Sequence, residues 1–223
     1  MSDGSGFEQR PLAVPAGATE VLLIRHGASA PAVPGVMFPL LDGRSDPPLS
    51  DAGHGQARAV ATRLAAEGEL SRLFVSGLQR TVQTAAPLAK ATGLEPTVVP
   101  DLAEVRLGDW EGGEYRVRVG RQDPIALAVV TEQRWDVIPG AETMESLRAR
   151  VRAGIESVVA ETGPGVAAVV AHGAVIGELC RQATDSRPFA FVHSDNGSIS
   201  RLIISSDGSW LLRSFNDIAH LVG

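Results

Sequence analysis

VLLIRHGAS, residues 21–29, is the stretch from which the fold is read. Its first four residues form an uninterrupted apolar run, the pattern of a strand buried on both faces of a parallel sheet. The run breaks abruptly into Arg25, His26 and Gly27. VAAVVA (166–171) has the same character and breaks into His172 and Gly173. RLFVS (72–76) and TVV (97–99) supply two further short strands. Helical stretches separate them. One starts at an N-cap, Ser50, and runs through about Ala66; one covers 79–91 and is closed by Gly93. A helical segment spans about 114–132, and a long helix starts at Thr143 and ends near Gly163. Another runs from His172 to about Thr184. Strands alternating with helices predict an α/β fold with a mostly parallel sheet covered on both faces. SISRLIISS (198–206) and WLLRSF (210–215) flank Asp207-Gly208, a hairpin signal, so the sheet is mixed with an antiparallel C-terminal edge.

The 223 residues suit one such domain, 19–223, after an N-terminal tail of Gly, Pro and small residues (1–18) that is expected to be disordered. The formal net charge of -6 and the lack of a basic run argue against a nucleic-acid partner. No apolar run approaches the roughly 20 residues of a membrane span, and the N-terminus has no secretory pattern. Cys180 is the only cysteine, so no intrachain disulfide forms. These features predict a soluble cytoplasmic protein with no membrane or nucleic-acid partner; a homodimer is left open.

Ligands of open α/β sheets bind beyond the carboxyl ends of the strands. The segments that leave the predicted strands there carry Arg25, His26, Arg80, Glu104 and His172, which places all five at one edge. That set suits phosphoryl transfer. Guanidinium forks match phosphate oxygens, and a neutral imidazole can attack phosphorus and carry the group. A second imidazole can donate to a phosphate oxygen, and a protonated carboxyl can give its proton to a leaving alkoxide. Two histidines and a glutamate also resemble a mononuclear metal site. Two adjoining arginines would repel the ion, however, and HExxH spacing is absent. A binding protein without turnover is the third reading, and the complete polar set weighs against it.

Several motifs, in order, resemble the histidine phosphatase (phosphoglycerate mutase-like) superfamily. They are LIRHGAS (23–29), GRSDPPLSDAGHGQA (43–57), SGLQRTVQTA (76–85), LAEVRLGDWEG (102–112), PGAETMESLRAR (139–150), VVAHGAVI (169–176) and NGSIS (196–200). The resemblance covers about 20–216. It implies a three-layer α/β/α sandwich and a metal-independent, cofactor-free enzyme acting on a small phosphoester. It also implies that His26 becomes phosphohistidine, that Arg25, Arg80 and His172 bind the phosphoryl oxygens, and that Glu104 donates the proton. Asp101, Asp109 and Glu111 are rival carboxylates. Ser29 and Arg44 are further candidates. Ala28 and Ala32 stand where many members carry Glu or Gln and Asn, a departure that favours phosphatase over mutase. Arg106, Arg116, Arg118 and Arg121 either line the rim of the site or, as such residues more often do, form solvated helix faces, and His54, His193 and His220 are given no role in the site. Trp110 is expected to pack beneath the acid motif. The cap segments are about 30–48 and 108–140. The apolar residues of the first, Met37 and Phe38 among them, either pack as core or line the mouth of the site, where they would favour an ester with an apolar portion.

Overall fold

A computed structural model describes residues 9, 13–68 and 70–222. Of the expected tail, residues 1–8 and 10–12 lie outside the described residues; 13–17 are exposed and Ala18 is buried. The strands are β1 (Thr19–Arg25), β2 (Leu40–Leu41), β3 (Arg44–Ser45), β4 (Leu70–Val75), β5 (Pro96–Val98), β6 (Gly165–Ala171), β7 (Ile199–Ile204) and β8 (Trp210–Asp217). The helices are α1 (Asp51–Glu67), α2 (Gln79–Thr92), α3 (Glu114–Gly120), α4 (Pro124–Glu132), α5 (Met144–Thr162) and α6 (Gly173–Thr184). Among the described residues, no helix is long and apolar enough to cross a membrane.

The main sheet has the order β5-β4-β6-β1-β7-β8. Its first four strands are parallel, and β7 and β8 add antiparallel pairings at one edge. Because successive side chains of a strand point to opposite faces, the apolar runs feed two cores. Val21 and Leu23 join Val169 and Leu202 under α5 and α6, meeting Val151, Ile155 and Leu179. Leu22 and Ile24 join Val75 and Val170 under α1 and α2, meeting Val60, Leu64 and Leu88. This is the three-layer sandwich the motifs implied.

Local chemistry explains the boundaries. Ser50 caps α1 by accepting from Gly53 N, and Thr143 caps α5 by accepting from Ser146 N. Gly93 ends α2 at φ 74°, in the left-handed region where the missing Cβ removes the steric cost. Two expectations are corrected. The helix expected over 114–132 is two helices: Gln122 turns to φ 58°, Asp123 caps α4 through Ile125 N, and Pro124 occupies the first turn. The 30–48 loop contains the hairpin β2–β3, turned by Asp42 and Gly43 at φ 49° and 72°. Two successive residues at positive φ are what a two-residue hairpin turn requires.

The turn after β1 is held from every side. Arg25 N donates to Ser198 O and Arg25 O accepts from Gly197 N, both at 3.0 Å. His26 N donates to Ala171 O (3.0 Å), and His26 O accepts from Asn196 Nδ2 (2.8 Å). Gly27 N donates to Thr84 Oγ1 (3.0 Å), Ala28 N to Gln56 Oε1 (2.8 Å), and Ala28 O accepts from Ser50 N (2.9 Å). The first turn of α1 lies directly against this segment. A Cβ on Gly27 would sit 2.5 Å from Gly53 O, and one on Gly53 would overlap Ala28 O.

Candidate active site

The register of β1 against β6 pairs Arg25 with Ala171, so His26 and His172 leave neighbouring parallel strands side by side. Their rings meet edge to face with centroids 5.1 Å apart. β4 ends at Val75, paired with Val170, and delivers Ser76 and then Arg80 on the first turn of α2. After β5, a single 3-10 turn at Pro100–Leu102 carries the chain to Glu104. Arg25, His26, Arg80 and Glu104 line one cavity of about 400 Å³. His172 is fully buried behind His26.

His26 is 5% exposed, and its Nδ1 lies 2.7 Å from Gly27 O. A carbonyl only accepts, so Nδ1 carries the proton and Nε2 keeps its lone pair. Arg80 Nε donates toward that nitrogen at 3.3 Å. Burial, then the charges of Arg80 and Arg25, and more weakly of Arg116, hold the His26 pKa well below the usual imidazole value, although the bond to Gly27 O works the other way. His172 is depressed in the same direction by burial first, then by Arg80, His26, Arg150 and Arg25. Both rings are therefore neutral near pH 7.

Glu104 behaves oppositely. Burial pushes its carboxyl above the usual range, against the pull of Arg80, the Val105 N–H, Arg25 and Arg150. Among the described residues its side chain accepts only from Val105 N (3.0 Å), while its backbone oxygen accepts from Arg44 Nε (2.6 Å) and Arg150 Nη2 (3.2 Å). Among its rivals, Asp101 and Asp109 are exposed. Glu111 reaches the cavity, but its oxygens accept from Leu107 N (2.7 Å), Ser45 N (2.7 Å) and Ser45 Oγ. Arg150 is anchored by buried Glu142 and also caps the carbonyls of Asp101 and Ala103.

Ser29 and Arg44 both line the cavity. Of the four arginines read as rim or solvated face, Arg116 is exposed and lines the cavity, donating to Ser29 Oγ (2.7 Å) and Ala30 O (2.9 Å). Asn196, a member of the NGSIS motif with no role expected from the sequence, also reaches the cavity. Arg106 and Arg121 are exposed, and Arg118 pairs with Glu114 and Asp123 over the Trp110 ring. Trp110 is buried, as expected for the base of the acid motif. His54 and His193 are exposed, and His220 bonds Gly197 O and Arg63. Phe38 forms part of the wall with Trp110, Tyr115 and Trp135, whereas Met37 is 72% exposed and is not core.

Neutral imidazoles, forked cations and a carboxyl pushed toward its protonated form, gathered at the carboxyl edge of an α/β sheet, have the chemistry that suits a phosphoryl group. The chain belongs to the histidine phosphatase superfamily, branch 1, whose sequence model matches residues 21–218. Phosphoglycerate mutase-like protein 4 of Arabidopsis thaliana is 31% identical over 207 residues, 91% of this chain and 86% of that one. A bifunctional protein of Mycobacterium tuberculosis is 29% identical over 205 residues, and the chain spans about 55% of its length while 91% of this chain is covered. Among solved structures, a mycobacterial glucosyl-3-phosphoglycerate phosphatase superposes with a TM-score of 0.74 at 26% identity, covering 90% of this chain and 100% of that one.

The depressed histidines make stability depend on pH. Below the unfolded-state value of about 6.5, the unfolded chain binds protons that the folded chain excludes. Stability therefore falls as pH falls, by up to about 1.4 kcal/mol per pH unit for each ring. The raised Glu104 has the opposite sign, costing stability as pH rises from its unfolded value to its folded one. Urea unfolding at pH 7.5, 6.5 and 5.5 will show a decline toward acid, and a His26→Gln/His172→Gln double variant will show a flatter one. An unchanged slope in the double variant would assign the decline to other groups.

Proposed function

We propose that the chain hydrolyses small phosphomonoesters through a phosphohistidine on His26. The observation that carries this reading is the fixed tautomer: with Nδ1 bonded to Gly27 O, Nε2 is the free nucleophile at the cavity floor. Incoming phosphate takes over the guanidinium of Arg80 that otherwise faces Nε2. Arg25, Arg80 and His172 bind the phosphoryl oxygens. The Nε2 lone pair forms the N–P bond as the P–O ester bond breaks, and the Glu104 carboxyl gives its proton to the departing oxygen. A water molecule then attacks phosphorus, the Glu104 carboxylate takes its proton, the N–P bond breaks, and phosphate leaves with both residues restored. Guanidiniums supply the positive charge, and the scheme draws on no metal or cofactor. Ser29 and Arg44 serve indirectly, the first by holding Arg116 and the second by holding the Glu104 backbone. Ala28 and Ala32 offer no polar group near the nucleophile, which supports hydrolysis over mutase transfer. The acidic chain with its single cysteine is consistent with work in the cytoplasm.

His26→Ala will abolish turnover of p-nitrophenyl phosphate while leaving the thermal unfolding transition in place. In the wild type, rapid quench with a labelled ester will trap acid-labile, base-stable phosphate on His26. Comparable turnover by the Ala variant would remove the mechanism.

Glu104→Gln will slow alkyl phosphates by about 10²–10⁴-fold, the usual cost of losing a general acid. It will slow p-nitrophenyl phosphate far less, because that leaving group needs little protonation. Equal losses on both esters would point to a different acid.

The leaving group emerges past Phe38, Trp110, Tyr115 and Trp135. An apolar or aromatic portion buried there gains binding, roughly 1.5–3 kcal/mol per well-buried group of side-chain size. A Met37→Ser/Phe38→Ser double variant will raise KM for phenyl phosphate and leave that for glycerol phosphate nearly unchanged. A parallel rise for both, or early melting alone, would make the segment purely structural.

A further inference from the structure

His172 is satisfied on one side only. Its Nε2 lies 2.8 Å from Ser76 Oγ, whereas its Nδ1, also buried, has no hydrogen-bond partner among the described residues. An orphaned buried nitrogen is costly unless something completes it. Here the ring stands edge to face against that of His26, which lines the cavity.

Which proton Nδ1 offers is decided one shell further out. Ser76 is 4% exposed, and its hydroxyl has one proton and two acceptors within reach, His172 Nε2 at 2.8 Å and Thr81 Oγ1 at 3.1 Å. Thr81 already spends its own proton on Leu78 O at 2.7 Å, so toward Ser76 it can only accept. If Ser76 donates to Thr81, His172 must donate through Nε2, and the neutral ring turns a bare lone pair toward the site. If Ser76 donates to His172, the ring's single proton sits on Nδ1. The imidazole nitrogen is the nearer acceptor and the more basic one, and only this arrangement gives a phosphoryl oxygen a hydrogen bond without adding a third buried charge beside Arg25 and Arg80.

We propose that Ser76 is a positioning residue: by donating to Nε2 it holds His172 as the Nδ1–H tautomer, which binds the phosphoryl oxygen as a neutral donor. The proposal rests on the reading of this cavity as a phosphoryl site. It also accounts for the placement of a small hydroxyl residue, deeply buried, at the end of β4.

The test is nitrogen NMR on the full chain labelled with ¹⁵N-histidine, free and with inorganic phosphate, with His172 assigned by its absence in His172→Gln. The expected spectrum shows a protonated Nδ1 and an unprotonated Nε2, in both states. Ser76→Ala will move the ring toward the Nε2–H form and lower kcat/KM by about 10²-fold, the order expected for one misdirected donor. Thr81→Val removes the competing acceptor at nearly constant size, and Leu78 O keeps two backbone donors, the N–H groups of residues 81 and 82. It will therefore leave tautomer and turnover close to wild type. A neutral ring protonated at Nε2 in the wild type, or a doubly protonated ring in the phosphate complex, overturns the proposal whether or not Ser76→Ala folds. Turnover by His26→Ala would instead remove the phosphohistidine reading, while leaving the tautomer result to stand by itself.

Discussion

Between Arg25 and Ala28 every backbone N–H and C=O is hydrogen-bonded, and the partners come from four different parts of the chain. The entrance to β7 holds Arg25 and the His26 carbonyl, β6 holds the His26 amide, α2 holds the Gly27 amide, and α1 with its cap holds Ala28. The eighth group, Gly27 O, is taken by the His26 ring itself. A buried turn with no regular ladder of its own must find such partners or carry the cost of orphaned polar groups. His26 is therefore located by the assembled sandwich, and no single neighbouring element determines its position. The Gly27–Gly53 approach belongs to the same constraint, since the helix that caps the turn can come this close only where both backbones lack a side chain.

Around that turn the electrostatics divide the ionisable groups by what each must do. The imidazoles sit among guanidiniums and stay neutral, which preserves a lone pair on one ring. Glu104 has a single hydrogen-bond donor on its carboxyl and is pushed toward retaining its proton. Glu111 and Glu142 lie close by, but backbone amides, hydroxyls or the Arg150 fork occupy their oxygens. Three neighbouring carboxyls are thus set apart by burial and by the donors each receives among the described residues.

Much of this is legible in the sequence, for physical reasons. Strands buried on both faces show as unbroken apolar runs, and in a parallel sheet the residues after such runs share an edge, so Arg25, His26, Arg80, Glu104 and His172 group together on pattern alone. The features that stay hidden depend on weaker or longer-range signals. Asp123-Pro124 marks a helix start, but the apolar IALAVV run after it carries the helical pattern across the break. Asp42-Gly43 is the same turn signal as Asp207-Gly208, yet its strands are two residues each and without the alternation that betrays the later hairpin. Arg116 and Asn196 reach their partners across 87 and 170 residues, and nothing local distinguishes them from solvated neighbours.

The small β2–β3 hairpin has an evolutionary consequence. Arg44 fastens the Glu104 backbone, Ser45 O receives Arg80 Nη1 at 2.8 Å, and the rest of Ser45 engages Glu111. The segment that shapes the entrance is thereby also a brace for the reacting groups. Divergence within this lineage toward new esters cannot treat it as a freely exchangeable module. Changes at its apolar tip leave these bonds in place, whereas a chimaera that swaps the whole insert also unhooks the Glu104 backbone and Arg80. The residues free to vary without disturbing these bonds are those at the tip, 36–41, and in the facing aromatic wall, while residues 44 and 45 act as the fixed hinge.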